Sequence, residues 1–229
     1  STAINSNTFA EIRFMPWLKY RLNFGVQFRK NRSGAWTGPN ATSHLTNRPN
    51  TASYDTNERF TWVAENLLFF NKKFGDKHDL GVTLLQSAQS FRQEGINISA
   101  NSMIYDIALW YDIASNTVGK PSGYSTSFTE NKIMSYMGRV NYALSNKYLF
   151  TATGRWDGAS VLAPGNKWDF FPSFSVAWKM QEEGFIKDLV FVNELKLRAG
   201  YGVTGNAAVN PYSTSGPLSR NPYVFLAVP

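Results

Sequence analysis

The sequence predicts an all-β fold, an antiparallel transmembrane β-barrel segment of about eight strands with short turns on one rim and long loops on the other. Three observations predict it. Apolar and polar residues alternate with a period of two, and short and long connections alternate along the chain. Aromatic residues make up 15% of the 229 residues, while charged residues make up only 17%. A soluble domain with so many aromatic residues normally carries more charge on its surface.

The alternation predicts strands with one apolar and one polar face, because successive side chains of a strand point to opposite sides. It is clear in residues 18–28, 148–156, 168–180 and 194–203, and noisier in residues 9–14, 58–72, 79–91 and 131–144. In the last clear segment, for example, Leu195, Leu197 and Ala199 alternate with Lys196 and Arg198. About eight strands follow.

The connections between these strands fall into two classes. Tight polar or proline turns are expected at Met15-Pro16, at Gly75 to His78 and at Ser145-Asn146. Long connections are expected at 30–57, 92–130 and 158–167. The segment 181–192 breaks the series, and its residues 182–187 predict a brief helical turn. Tight turns on one rim and long loops on the other are typical of a membrane barrel.

The aromatic residues near the ends of the apolar faces support the same fold. Tyr148 and Trp156 mark one strand, and Trp168 and Trp178 mark the next. Amphipathic rings at both membrane–water interfaces form the girdles of outer-membrane barrels. The alternative is that these rings fill a soluble β core, which would then need a charged surface that this composition hardly supplies.

Composition excludes several kinds of site. Cysteine is absent, which excludes disulfides and cysteine ligands, and two histidines do not suggest a metal centre. No apolar run approaches the ~20 residues of a membrane-spanning helix. The net charge of +7 comes without a dense basic cluster, so no nucleic-acid partner is expected. We expect rim Lys and Arg residues to meet lipopolysaccharide phosphates. No cofactor, metal site or catalytic residue is predicted, and the chain is not expected to be an enzyme.

Several blocks of residues 131–206 resemble the SusC/RagA family of TonB-dependent outer-membrane transporters. They occur in the order and spacing of that family, whereas residues 9–91 match it more loosely and the long loops do not align. The blocks are Gly138–Tyr142, Asn146–Leu149, Thr151–Ser160, Phe170–Ser173 with Ala177-Trp178, Phe185–Asp188 and Leu195–Asn206.

The resemblance implies a segment of a 22-stranded barrel that a plug domain closes. Residues 1–229 are then expected to be a partial barrel domain without the plug and the closing strands. The implied location is the outer membrane of a Gram-negative, Bacteroidetes-like bacterium. The implied function is active import of glycans or peptides. The implied partners are a SusD-like surface lipoprotein, the TonB–ExbB–ExbD complex acting through the missing plug, outer-membrane lipid and the solute.

Two other functions remain open from the residues themselves. One is a small complete eight-stranded membrane barrel with a structural or adhesive role. The other is a soluble β-sandwich, for example a carbohydrate-binding domain or a hydrolase. Heat-modifiable migration and detergent dependence would separate both membrane proteins from the soluble domain, and the flanking sequence would separate the transporter segment from the small barrel.

Candidate site residues fall into two groups. Polar, lumen-side positions that could line the solute path or contact the plug are Arg139, Arg155, Asp157, Lys196 and Arg198; they could equally form a ladder of cross-strand charge pairs. Loop aromatics that could stack on sugars or peptides are Trp36, Trp110, Tyr111 and Tyr124; they could equally pack the loops. Asp157 and Asp169 could face each other across a hairpin, without a recognisable acid/base arrangement.

Overall fold

The computed structural model describes residues 1–41, 49–187, 193–206 and 209–216. Its described part contains one antiparallel sheet whose strands follow chain order. The predicted all-β fold of about eight strands is therefore confirmed. The strands are β1 (Thr2–Met15), β2 (Leu18–Thr37), β3 (Thr51–Phe74), β4 (His78–Asn101), β5 (Gly123–Leu144), β6 (Tyr148–Ala159), β7 (Trp168–Lys179) and β8 (Lys196–Gly202).

Three tight turns join consecutive strands at one rim of the sheet, at the positions that the sequence predicts. Pro16 and Trp17 join β1 to β2, residues 75–77 join β3 to β4, and residues 145–147 join β5 to β6. Ser145 and Asn146 both have left-handed φ angles, 51° and 55°. Two successive positive φ values give a turn that matches the right-handed twist of the flanking strands.

The connection from β7 to β8 contains the predicted helical turn. A 3₁₀ turn covers Met180–Glu182, and a single α-helical turn, α1, covers Gly184–Lys187. Residues 188–192 of this connection lie outside the described residues. No helix in the described ranges is long and apolar enough to cross a membrane.

The predicted long connections 30–57 and 92–130 are wrong in extent. β2 continues to Thr37 and β3 begins at Thr51, while β4 continues to Asn101 and β5 begins at Gly123. The connections are thus 38–50 and 102–122. Both faces of these strand extensions carry polar residues, so the apolar–polar alternation fades although the backbone ladder continues in unbroken register.

The register brings the apolar sides of all eight strands onto one face of the sheet. We call it the apolar face; it carries the even-numbered residues of β1–β7 and the odd-numbered residues of β8. One row of directly paired residues on it runs through Ala10, Leu22, Asn66, Gln86, Tyr136, Trp156 and Phe170. The opposite side, the polar face, carries the alternate residues. Paired residues of antiparallel strands share a face, so this assignment follows from the register alone.

The described residues leave most of the apolar face uncovered, except where connection 102–122 packs Trp110 against Gly34. Phe24, Leu84, Trp156 and Phe174 are each about half exposed. Only six apolar side chains of the described part are buried, and three of them, Ala52, Ala100 and Met103, form one small cluster away from the short turns. An exposed apolar surface of this extent is far larger than the patches of soluble monomers. It fits a face that contacts lipid, and no second sheet forms the sandwich considered above.

Two aromatic rows bound the central part of the apolar face. Tyr148 and Trp178 stack near the short turns, with ring centroids 6.4 Å apart. Trp168 lies 5.3 Å from Trp156 and 6.1 Å from Tyr136 in the second row. The eight residues from Tyr148 to Trp156 span about 26 Å of strand. At a tilt of ~40° this is about 20 Å of height, close to the ~25 Å apolar band of outer-membrane barrels.

The sheet is open in the described part of the chain. β1 pairs with β2 and β8 pairs with β7, without a ladder between β1 and β8. The described strands therefore do not form the small closed eight-stranded barrel considered above. Both outer strands keep an unpaired edge.

Candidate functional site

Arg139, Arg155 and Asp157 lie on the polar face, where Arg155 and Asp157 share one group of hydrogen bonds and Arg139 makes a separate one. Arg155 Nε lies 2.7 Å from Asp157 Oδ1, and Arg155 Nη2 donates to Ser135 Oγ at 3.0 Å. Ser135 is fully buried. Arg139 Nε donates to Thr153 Oγ1 on the neighbouring strand at 3.2 Å. The ion pair between Arg155 and Asp157 lies within β6 and does not cross strands. Neither a ladder of cross-strand charge pairs nor a role along a solute path follows from it, and both stay predictions.

Lys196 and Arg198 lie on the same face but on β8, at the edge of the sheet. Lys196 pairs in register with Lys179, and Arg198 with Ala177. Lys179 Nζ donates to Asn146 Oδ1 at 2.8 Å. Within the described residues no hydrogen bond or ion pair occupies the side chains of Lys196 and Arg198. Arg139 likewise has no carboxylate partner, so three of the predicted lumen residues carry a charge that no ion pair occupies within the described residues.

The possible pairing of Asp157 with Asp169 is borne out in register. The two residues are direct partners between β6 and β7. Each carboxylate already has a donor, since Asp157 accepts from Arg155 and Asp169 Oδ1 accepts the N–H of Phe170 at 2.8 Å. The described residues hold no group of three or more metal-ligating side chains.

A row of three apolar side chains interrupts the polar face. Leu67, Leu85 and Met137 are direct partners across β3, β4 and β5, and Arg21 and Arg155 pair with the two ends of the row. Apolar side chains that faced only the water of a channel would gain nothing from burial. The sequence alone did not single it out, because the register of four strands is needed to bring these residues together.

Of the four aromatics expected in loops, Trp110 and Tyr111 lie in connection 102–122, but Trp36 lies in β2 and Tyr124 in β5, so the loop assignment is wrong for these two. Trp36 and Trp110 pack with Ile113 against the small buried cluster of Ala52, Ala100 and Met103. Trp36 Nε1 is buried without an acceptor in the described part of the chain. Loop packing, the second interpretation given above, therefore applies to these two tryptophans.

Trp110 also forms one wall of a cavity. Its ring stacks on Tyr54 at 5.8 Å and on Tyr111 at 4.1 Å between centroids. The cavity has a volume of about 650 Å³, and Arg32 and Lys120 also line it. Tyr111 and Tyr124 remain 72% and 80% exposed. A binding role of the loop aromatics stays a prediction.

Three lining residues, Arg32, Tyr54 and Lys120, were not singled out from the sequence. Arg32 and Tyr54 lie inside the stretch 30–57 that was expected to be loop. Continuing the even-numbered face of β2 and β3 through that stretch would have found both. Lys120 lies in the connection 102–122, where nothing in the sequence fixes its position.

A tether joins the β7–β8 connection to the short-turn rim. Glu183 accepts hydrogen bonds from the Tyr148 hydroxyl at 2.7 Å and from Trp178 Nε1 at 3.1 Å. Lys147 Nζ lies 3.2 Å from its other carboxylate oxygen. The hydrogen bond from Tyr148, then that from Trp178, holds the pKa of Glu183 below its ordinary value. This cluster is structural and lies outside both predicted residue groups.

Comparison with known proteins identifies the family. The model of the TonB dependent receptor-like β-barrel family matches residues 4–226. TonB-dependent receptor P3 of Formosa agariphila is 33% identical over 225 residues, which cover 93% of this chain and 21% of that receptor. TonB-dependent receptor SusC of Bacteroides thetaiotaomicron is 52% identical over 77 residues, 34% of this chain and 8% of that receptor.

Solved structures agree on the fold. The RagAB peptide importer in the closed–closed state superposes with a TM-score of 0.84 at 20% identity, over 92% of this chain and 23% of that chain. The chain spans about a fifth of the length of the receptors it matches over most of its residues. The resemblance to SusC and RagA is thus confirmed, and with it the location in the bacterial outer membrane. The chain belongs to the TonB-dependent receptor-like β-barrel family.

Proposed function

We propose that this chain forms part of the barrel wall of a TonB-dependent transporter that actively imports a glycan or a peptide across the outer membrane. The observation that carries the proposal is the open, eight-stranded sheet with one lipid-facing side, in a chain that matches the family barrel from residue 4 to residue 226. The similar proteins are TonB-dependent receptors and a peptide importer. That these relatives are not enzymes supports a transport role for this chain.

The polar face then forms part of the lumen wall. The paired charges of Arg155 and Asp157 stiffen this wall, while the row of Leu67, Leu85 and Met137 provides an apolar strip. Such a strip suits contact with a folded plug domain better than contact with water. Lys196 and Arg198 supply free positive charge at the edge where a further strand would pair.

In this proposal, partner proteins supply the energy for transport and close the channel over the solute. A SusD-like surface lipoprotein would close over the solute at the loop rim, and the TonB–ExbB–ExbD complex would pull on the plug from the short-turn rim. This segment supplies wall and loops, and it neither gates the channel nor couples it to force. Alone it is expected not to transport.

Uptake measurements test the proposal. Cells that produce the full receptor carrying this segment are given labelled oligosaccharides and oligopeptides, with and without a protonophore. We expect saturable uptake of one solute class, loss of that uptake with the protonophore, and co-purification of a surface lipoprotein. Saturable, proton-motive-force-dependent uptake by the isolated 229-residue chain in a strain without the receptor would contradict the proposal.

A further inference from the structure

The cavity beside Trp110 lies on the apolar face of the sheet. Tyr54 pairs in register with both Gly34 and Ile98, and the register runs without a shift from there to the lipid-facing residues Phe60 and Trp62. A Cβ built on Gly34 would lie 1.8 Å from the Trp110 ring, so connection 102–122 folds onto this same face. The cavity therefore opens on the outer side of the wall and not toward the lumen.

The chemistry of the cavity suits an acidic sugar. The stacked rings of Tyr54, Trp110 and Tyr111 offer flat apolar surfaces for the C–H groups of a pyranose. Arg32 and Lys120 supply two positive charges, and the Arg32 guanidinium lies 5.8 Å from the Trp110 ring centroid. Among the described residues that line the cavity no carboxylate offsets these charges. Arginine and lysine bind carboxylate and phosphate oxygens through charge-assisted hydrogen bonds.

The order of residues along the strands of the apolar face shows where the cavity lies. Above the aromatic row of Trp156 and Trp168 comes a belt of three ion pairs: Lys30 with Glu58, Arg92 with Glu94, and Lys132 with Glu130. Beyond the belt, Tyr54 lies eight residues from Trp62, about 26 Å along the strand. A glycolipid next to the sheet has groups in the same order: acyl chains at the level of the apolar residues, a phosphorylated head group at the level of the ion pairs, and sugars at the level of the cavity.

We propose that this cavity binds an acidic sugar in the core oligosaccharide of lipopolysaccharide from the surrounding outer leaflet. Position and charge together select this occupant. An imported solute travels on the other side of the wall, whereas a lipid-linked oligosaccharide lies directly against this one. The site requires the outer-membrane location and the lipid-facing apolar side, but it does not require that the receptor imports anything.

Lipid retention by the purified full receptor tests the site. The receptor is extracted in mild detergent and reconstituted with rough lipopolysaccharide that carries its core, or with lipid A alone, and the bound glycolipid is counted by native mass spectrometry. We expect Arg32→Gln and Trp110→Ala each to lower retention of the core-bearing form about tenfold, and Trp110→Phe to keep it. Retention of lipid A should be equal in all variants, because lipid A lacks the core sugar.

Two matched controls exclude general effects. Ile107→Ala alters the same connection at a side chain that is 93% exposed and does not line the cavity. Lys77→Gln removes a positive charge at the opposite rim. Both should retain lipopolysaccharide like the unmodified receptor, and heat-modifiable migration should show that every variant is folded.

Three results would overturn the proposal. Equal retention of core-bearing lipopolysaccharide by Arg32→Gln and the unmodified receptor would remove the site. Equal losses of lipid A and of the core-bearing form would assign the effect to acyl-chain contacts. A change in oligomeric state in Trp110→Ala without a change in lipid retention would make the cavity an interface between two copies. Uptake of labelled solute, measured in parallel, reports on the proposed function separately.

Discussion

Glu183 holds the β7–β8 connection against the neighbouring turn through Tyr148, Trp178 and Lys147. Its pKa is lower in the folded chain than its ordinary value of 4.5. A group with a lowered folded pKa stabilises the fold above its unfolded pKa, and this contribution is lost as the pH falls through the folded value. The tether should therefore be intact at neutral pH and should weaken as the solution is acidified below 4.5.

Hydrogen exchange of residues 180–187 measures this tether. In the folded barrel, we expect exchange in this segment, corrected for its intrinsic pH dependence, to accelerate as the pH is lowered from 7 to 3. Glu183→Gln should exchange fast already at pH 7, because the amide cannot pair with Lys147. Glu182→Gln changes an adjacent carboxylate and should behave like the unmodified chain. A pH-independent exchange rate in the unmodified chain would contradict the assignment.

Lys196 and Arg198 differ from Arg155 in what their charges do. Neutralising them as Lys196→Gln and Arg198→Gln removes free positive charge from the polar face, and we expect an altered uptake rate or a weaker hold on the plug with little change in stability. Arg155→Ala should instead destabilise the barrel by about 1–3 kcal/mol, because the buried hydroxyl of Ser135 and the Asp157 carboxylate each lose a partner. Urea unfolding in micelles and uptake kinetics separate the two effects.

At the residue scale the sequence predicted the faces of all five polar candidates, and the pairing of Asp157 with Asp169, but not their hydrogen-bond partners. Alternation alone assigns Arg155 and Asp157 to one side of a strand. That Arg155 also reaches Ser135, on β5, depends on the register between two strands, which no single segment encodes. The loop aromatics were predicted as a group, yet their position outside the wall follows only from the unbroken ladder of β2, β3 and β4.

Trp168 and Gly158 show how a glycine accommodates a large ring at the second aromatic row. The two residues are direct partners on the apolar face, and a Cβ on Gly158 would lie 2.6 Å from the indole. We expect Gly158→Ala to displace the indole and to cost about 1–3 kcal/mol of unfolding free energy. Gly138→Ala on the neighbouring strand meets only Leu84 at 3.7 Å and should cost little. Urea titrations of the two variants in micelles check the difference.

The longest strands extend far beyond what a membrane requires. β3 and β4 have 24 residues each, whereas a membrane-spanning strand needs ~9–11. The excess lies on the side of connections 38–50 and 102–122. The sequence could not mark these extensions, because strands with water on both faces need no alternation, and their residues were therefore expected to be loop.

Labelling at the two rims tests this orientation. In intact cells that produce the full receptor, Ile107→Cys should react with a membrane-impermeant maleimide, because this side chain lies in connection 102–122 and is 93% exposed. A cysteine at Asp76, in the turn between β3 and β4, should react only after the outer membrane is permeabilised. Residues 1–229 contain no native cysteine, and any cysteine elsewhere in the receptor would first be replaced by serine. The reverse labelling pattern would place the long connections on the periplasmic side.

On the scale of the whole molecule, the described strands form an incomplete wall. An open sheet edge exposes a row of N–H and C=O groups, and the hydrocarbon core offers no partner for them. Within the described part of the chain, both β1 and β8 have such an edge. The composition predicted a lipid-facing sheet, and the family resemblance predicted a larger barrel. That the eight strands form an open sheet follows only from how they pair.

These two edges give a prediction for the chain on its own. Refolded into micelles, residues 1–229 should not form a monomeric barrel, because pairing β1 with β8 would require a much more tightly curved sheet than the eight strands form. We expect edge-to-edge association into oligomers, since unpaired strands of this length are templates for further pairing. Gel mobility without a heat-induced shift, together with light scattering, would show this. The full receptor, in which we expect further strands to cover both edges, should shift on heating and remain discrete. A heat-modifiable monomer of the isolated chain would instead revive the closed eight-stranded barrel.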